Sequence, residues 1–183
     1  MPLLIVLAII AAILFMVIMM YNGLVQLRVR SENAWSDIDV QLKRRHDLVP
    51  NLVETVKGYA THEKSTFEDI AKFRSMAMQA TAPADRAQAE GQLTQAIKSL
   101  FAVAENYPQL QASGQFQSLQ NSLNELEDSI QNSRRYYNAV VRDLNTKIET
   151  FPTNLLAGTF GFKEKQFFEA PEAERETPQV KFA

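Results

Sequence analysis

The chain has 183 residues, with 19 Lys and Arg against 21 Asp and Glu, a net charge of −2 and a pI near 5.8. That balance excludes a general basic field for nucleic acid, and the absence of cysteine removes disulfides, thiolate nucleophiles and cysteine metal sites. Glycine and proline are sparse, which suits long helices, and the length outside one apolar segment and a tail suffices for one soluble domain of ordinary size.

The first predicted element is the run from Leu3 to Met20, which holds no charge, amide, hydroxyl, glycine or internal proline. As a helix rising 1.5 Å per residue it covers roughly 27 Å, close to the hydrocarbon thickness of a bilayer, and a helix satisfies its backbone groups internally as lipid demands. Residues 1–22 are therefore expected to form a transmembrane anchor. Its lipid-facing side chains include Leu3, Ile5, Leu7, Ile10, Ile13, Phe15 and Ile18, and Tyr21 lies at the depth where an amphipathic ring is favoured. A cleaved secretory signal fits less well. Only Met1 and Pro2 precede the run, its apolar core is too long, and Met19-Met20-Tyr21-Asn22 is no small-residue cleavage site. Arg28 and Arg30 are the first basic side chains after the span, which favours an outside amino terminus and a cytoplasmic bulk, the opposite topology being the alternative.

Residues 23–151 read as a bundle. Leu24, Leu27, Ser31, Ala34, Trp35, Ile38 and Leu42 recur at helical steps to about His46, continuing out of the membrane, with Arg28, Arg30, Glu32, Asp39, Lys43, Arg44 and Arg45 on the opposite face. Asp47-Leu48-Val49-Pro50 predicts a turn and a new start, with Asp47 as cap and Pro50 in the first turn. From there helical spacing runs to about Ala80, and Gly58 is expected to admit a neighbouring backbone. Thr81-Ala82-Pro83 breaks the pattern, and a third helix follows with Asp85 in its first turn and Leu93, Ile97, Leu100, Ala104 and Tyr107 along one stripe. Pro108 ends it. A fourth helix then carries a seam through Phe116, Leu119, Leu123, Leu126, Ile130, Ser133, Tyr137, Val140, Leu144, Ile148 and Phe151. So narrow a stripe needs partner helices, and short connections make consecutive helices antiparallel. The predicted fold is all-α: an N-terminal transmembrane helix, an up-and-down antiparallel four-helix bundle, and an aromatic then acidic C-terminal tail.

Residues 152–168 are expected to be an aperiodic aromatic docking segment after Pro152, bringing Phe160, Phe162, Phe167 and Phe168 against the bundle, a neighbouring protomer or lipid. Residues 169–183 read as disordered by composition.

Catalytic constellations are thin. His62-Glu63 lacks the second histidine of a zinc-binding helix, because the fourth residue after His62 is Thr66. His46, Asp47, His62 and Glu63 could meet in space as a metal-dependent site, but a surface polar cluster is far commoner. Asp37 and Asp39 stand two apart and face different sides of a helix. Lys43, Arg44 and Arg45 are expected on a solvated or partner-binding face, since Lys43 lies about 35 Å beyond the span on a straight helix, out of routine headgroup reach. Arg134-Arg135-Tyr136-Tyr137 mixes basic and aromatic types, yet Tyr137 belongs to the buried seam. No phosphate loop or nucleophile elbow is visible.

Tyr21-Asn22-Gly23-Leu24-Val25, Ala34-Trp35-Ser36-Asp37-Ile38-Asp39-Val40-Gln41-Leu42-Lys43-Arg44-Arg45 and the stretch from Asp47 through Pro50 and Gly58 to Glu63 resemble the signature of bacterial LemA proteins. Glu105-Asn106-Tyr107-Pro108, Arg134-Arg135-Tyr136-Tyr137-Asn138, Phe151-Pro152, Gly161-Phe162 and Phe167-Phe168 are similar to its later landmarks, so the likeness covers nearly the whole chain. The resemblance implies a single-pass protein of the bacterial inner membrane with a helical bundle, and it brings no catalytic activity or cofactor. Relatives that include a magnetosome-membrane protein, and the company of a membrane metalloprotease, imply work in membrane organisation or envelope stress.

The expectation is a non-enzymatic, membrane-anchored scaffold without cofactor that self-associates or binds a membrane partner, with no nucleic acid. Trp35, Lys43, Arg44, Arg45, Phe160, Phe162, Phe167 and Phe168 are its candidate contact residues. The alternatives are an adaptor for a membrane metalloprotease and a metal-dependent accessory using His46, Asp47, His62 and Glu63.

Overall fold

A computed structural model describes residues 1–169, which form helices, connecting turns and a final stretch, 162–169, without regular structure, with no strand among them. Six helices follow in order: α1 (Pro2–Lys57), α2 (Lys64–Gln79), α3 (Pro83–Ala104), α4 (Pro108–Gln111), α5 (Gly114–Glu149) and α6 (Thr153–Thr159). The expected disordered tail lies outside the described residues, apart from Glu169.

The described chain packs as two compact units, one of Met1–Ile38 with Ser133–Gln166 and one of Asp39–Asn132 with residues 167–169. In the second unit four helical stretches, from α1, α2, α3 and α5, surround one core. Val49, Leu52, Val53 and Val56 of α1 meet Ile70 of α2, Leu93, Ala96, Ile97, Leu100 and Ala104 of α3, and Phe116 and Leu123 of α5. Burying such side chains stabilises by about 1.5–3 kcal/mol each, which is how stripes too narrow to stand alone become helices. α2 packs along α3 across a three-residue link, and Pro83 opens α3 where its missing N–H has no intrahelical partner, with Asp85 in the first turn.

The first unit pairs the early part of α1 with the later part of α5. Trp35 meets Tyr137, Leu24 packs with Leu144, and Gly23 lies against Lys147. One residue number falls as the other rises, so the pairing is antiparallel. The apolar stretch of α1 has a mean hydropathy of 3.3 over 18 residues and buries none of them, making it a candidate membrane span.

Several expected boundaries move. The turn at Asp47–Pro50 does not form: α1 runs through Pro50 to Lys57. A proline inside a helix removes the hydrogen bond to the carbonyl four residues earlier, here that of His46. Arg74 of α2 supplies the missing donor, its Nε–H reaching the His46 oxygen at 2.7 Å. The break falls instead over residues 58–63, where Tyr59 and Ala60 both donate to the Val56 carbonyl. Gly58 admits no neighbouring backbone there, since a Cβ would meet only the nearby Thr55 oxygen at an ordinary 3.5 Å.

The stretch expected to be aperiodic contains α6. Its end is a Schellman closure: Phe162 N–H donates to the Ala157 carbonyl at 2.9 Å and Gly161 N–H to that of Gly158 at 3.4 Å. Gly161 sits at φ 71°, a left-handed conformation that costs a residue with a Cβ about 1–2 kcal/mol. Phe162 then folds against Ala157, Leu24 and Leu144. Phe151, expected at the end of the buried seam, lies past the end of α5 and is 75% exposed.

Candidate functional site

The unusual chemistry of the second unit is a set of charges inside its core. The α1 stripe steps from Ile38 to Leu42 to Arg45 to Val49, so helical spacing turns Arg45 inward with its apolar neighbours, and its side chain is only 2% exposed. The α3 stripe steps from Glu90 to Leu93 to Ile97 and turns Glu90 inward likewise. The two meet. One guanidinium nitrogen of Arg45 pairs with Glu90 Oε2, and Nη1 donates to Glu127 Oε1 of α5 at 2.7 Å and to Thr94 Oγ1 at 3.0 Å. The other Glu90 oxygen lies 2.9 Å from His46 Nε2, which must carry the proton because a carboxylate only accepts. Arg74, bound to the His46 carbonyl, joins α2 to the set.

Burial by itself would raise the Glu90 pKa, but the hydrogen bond from His46 and the charge of Arg45 outweigh it and hold the carboxyl below its ordinary range. Burial would likewise lower the Arg45 pKa, and Glu90 and Glu127 together hold it above its usual value. Glu90 is thus an ionised acceptor with both oxygens engaged. Buried charges that break apart leave an uncompensated ion in low dielectric, so this arrangement favours one register of four helices over its neighbours.

In the first unit, polar side chains hold down the extended segment after α6. Asn145 of α5 donates its amide to the Lys165 carbonyl and accepts from the Lys165 N–H, both at 2.9 Å, as a neighbouring strand would. Tyr137 donates its hydroxyl to the Gln166 carbonyl at 2.9 Å. Lys165 Nζ reaches Glu32 at 3.4 Å. Tyr21 sits edge-on to Phe160 and Phe162, with ring centroids 5.0 and 5.8 Å away, and Arg28 lies over the Phe162 ring at 5.3 Å.

The candidate contact residues divide accordingly. Lys43 and Arg44 are exposed, whereas Arg45 departs from the expected solvated face because it belongs to the inward stripe. Trp35 is half-buried on Tyr137, Phe162 is packed, and Phe168 is 1% exposed, while Phe160 and Phe167 remain open. Of the suggested metal set, His46 is buried on Glu90 while Asp47 and His62 are exposed, and no group of three such ligands gathers among the described residues. Glu90, Thr94, Glu127, Arg74 and Asn145 were not anticipated. For Glu90 the signal was present, a carboxylate three residues before Leu93 on the apolar stripe of α3.

Residues 34–182 match the LemA family. The chain belongs to the LemA family. Magnetosome protein MamQ 2 of Paramagnetospirillum magneticum is 27% identical over 186 residues, covering 87% of this chain and 68% of its own. MamQ of Magnetospirillum gryphiswaldense is 27% identical over 192 residues, covering 89% and 71%. Protein LemA of Metamycoplasma hominis is 28% identical over 158 residues, covering 84% and 71%. The matched region of this LemA-family chain includes every residue of the buried ion cluster, and the candidate membrane span lies before it.

Proposed function

We propose that this LemA-family chain is a non-enzymatic, single-pass scaffold of the bacterial inner membrane that self-associates and works in membrane organisation or envelope stress. The observation that carries the proposal is the use of its buried charges. Arg45 and His46 both bind Glu90 in the core, so the most unusual chemistry of the described residues serves to position helices. Relatives named as magnetosome proteins support a role in organising a structure. Exposed Tyr59, Met76 and Met78 offer apolar contact on the second unit, and methionine adapts readily to a partner surface. The amino terminus is assigned to the outside and the bundle to the cytoplasm on the strength of Arg28 and Arg30.

Light scattering on the full chain extracted in mild detergent, with crosslinking in native membranes, tests the proposal. Homo-oligomers in both are the expected result. A strict monomer overturns self-association, and crosslinks confined to a membrane protease point to an adaptor instead. Protease accessibility in spheroplasts tests the orientation: cleavage of the bundle from outside reverses it.

A further inference from the structure

We infer that the end of α5 and helix α6 form a second membrane contact, an interfacial lipid-binding edge beside the span. The inference rests on the candidate span being in lipid, and its test separates the two. Phe151, Leu155 and Phe160 are 75, 63 and 52% exposed, an unusual loss for large apolar side chains within one short stretch. Their position names the occupant. In the antiparallel pairing of the first unit Leu24 packs with Leu144 and Gly23 lies against Lys147, so the chain from Lys147 on to Phe151 continues toward Met20, inside the apolar stretch of α1. From the other side Phe160 stacks edge-on against Tyr21, the residue at which the apolar stretch ends. The exposed side chains are therefore continuous with a surface that lipid already covers.

The charges agree. A Cβ placed on Gly23 would come 2.5 Å from Lys147 Nζ, so that ammonium lies over the first residues beyond the span, and Arg28 lies over Phe162 one turn further. Apolar rings flanked by cations are what an interfacial element presents to acyl chains and anionic headgroups. Such an edge resists rotation of the anchor about its axis and fixes how the attached chain faces the bilayer.

The chain has no cysteine, so single labels are straightforward. Phe151→Cys, Leu155→Cys and Phe160→Cys, each in the full chain, carry an environment-sensitive fluorophore after reconstitution into phosphatidylcholine–phosphatidylglycerol vesicles containing a nitroxide-labelled phosphatidylcholine. Ile13→Cys serves as the lipid reference and Val29→Cys, exposed two turns beyond Tyr21, as the aqueous one. At the three edge positions lipid nitroxide is expected to quench at least about half as strongly as at Ile13, with little quenching at Val29. Quenching at Ile13 with none at the edge overturns the inference and leaves the span standing. A blue-shifted edge that lipid nitroxide does not quench assigns it to protein contact and also overturns the inference. Absence of quenching at Ile13 overturns the span.

Discussion

Arg45 and Glu90 are where single residues decide most. Each is a charge on an otherwise apolar stripe, held inside by the other together with Glu127 for Arg45 and His46 for Glu90. Glu90→Leu leaves the Arg45 charge with Glu127 alone, and the expected cost is about 3–5 kcal/mol by denaturant unfolding of the full chain in detergent. The double variant Arg45→Met with Glu90→Leu is expected to recover most of that loss, because a hydrophobic pair strands no ion. The pH dependence follows from the lowered pKa of Glu90. Its contribution is complete above the ordinary carboxylate pKa of about 4 and is lost as pH falls through its lower folded value. The acid limb of the unfolding midpoint should flatten in Glu90→Leu; an unchanged limb would remove Glu90 from the explanation. Arg45 could have been read from the chain, since Ile38, Leu42, Arg45 and Val49 keep step, but a turn expected at Pro50 hid the continuation of the stripe.

At the scale of elements, Pro50 shows why a local rule failed. Proline removes one donor and strains one turn, a cost of roughly 3 kcal/mol in an isolated helix. Here a side chain from a different helix satisfies the freed carbonyl, and Val49, Leu52, Val53 and Val56 keep the following turns packed. Arg74→Met should therefore cost about 1–3 kcal/mol, the loss expected when a buried acceptor is left unpaired. In a Pro50→Ala background, where the restored amide can reach the His46 oxygen, the same substitution should cost distinctly less. Equal costs in both backgrounds would dissociate Arg74 from the proline. Helix α6 makes a similar point. Gly161→Val forces a Cβ into a left-handed turn and should loosen the Schellman closure, read as faster amide exchange at Phe162 and at Lys165, whose N–H rests on Asn145. Exchange unchanged at both amides would show that Asn145 and Tyr137 hold the segment without the cap.

At the scale of the molecule, the candidate span should be separable from the bundle. Asp at both Ile10 and Ile13 places charge mid-span, each costing about 2.5–3.5 kcal/mol of insertion. Release of the double variant by alkaline carbonate, with the wild-type chain retained, is the expected outcome in fractionated membranes. The substitutions touch no residue of the bundle core, so helicity of the released protein should persist.

The apolar run, the helical periodicity and the family signature all act over a few neighbouring residues or along one face, and that is why the linear chain alone determined an all-helical fold with one long apolar N-terminal helix, a candidate span. Helix ends and buried charges depend on groups far apart in the chain. Pro50 stays helical because of Arg74, Arg45 lies inside because of Glu90, and the segment after α6 is held because of Asn145. Only the tertiary structure decided these, since a hydrogen bond or ion pair across tens of residues leaves no periodic trace in the order of the amino acids.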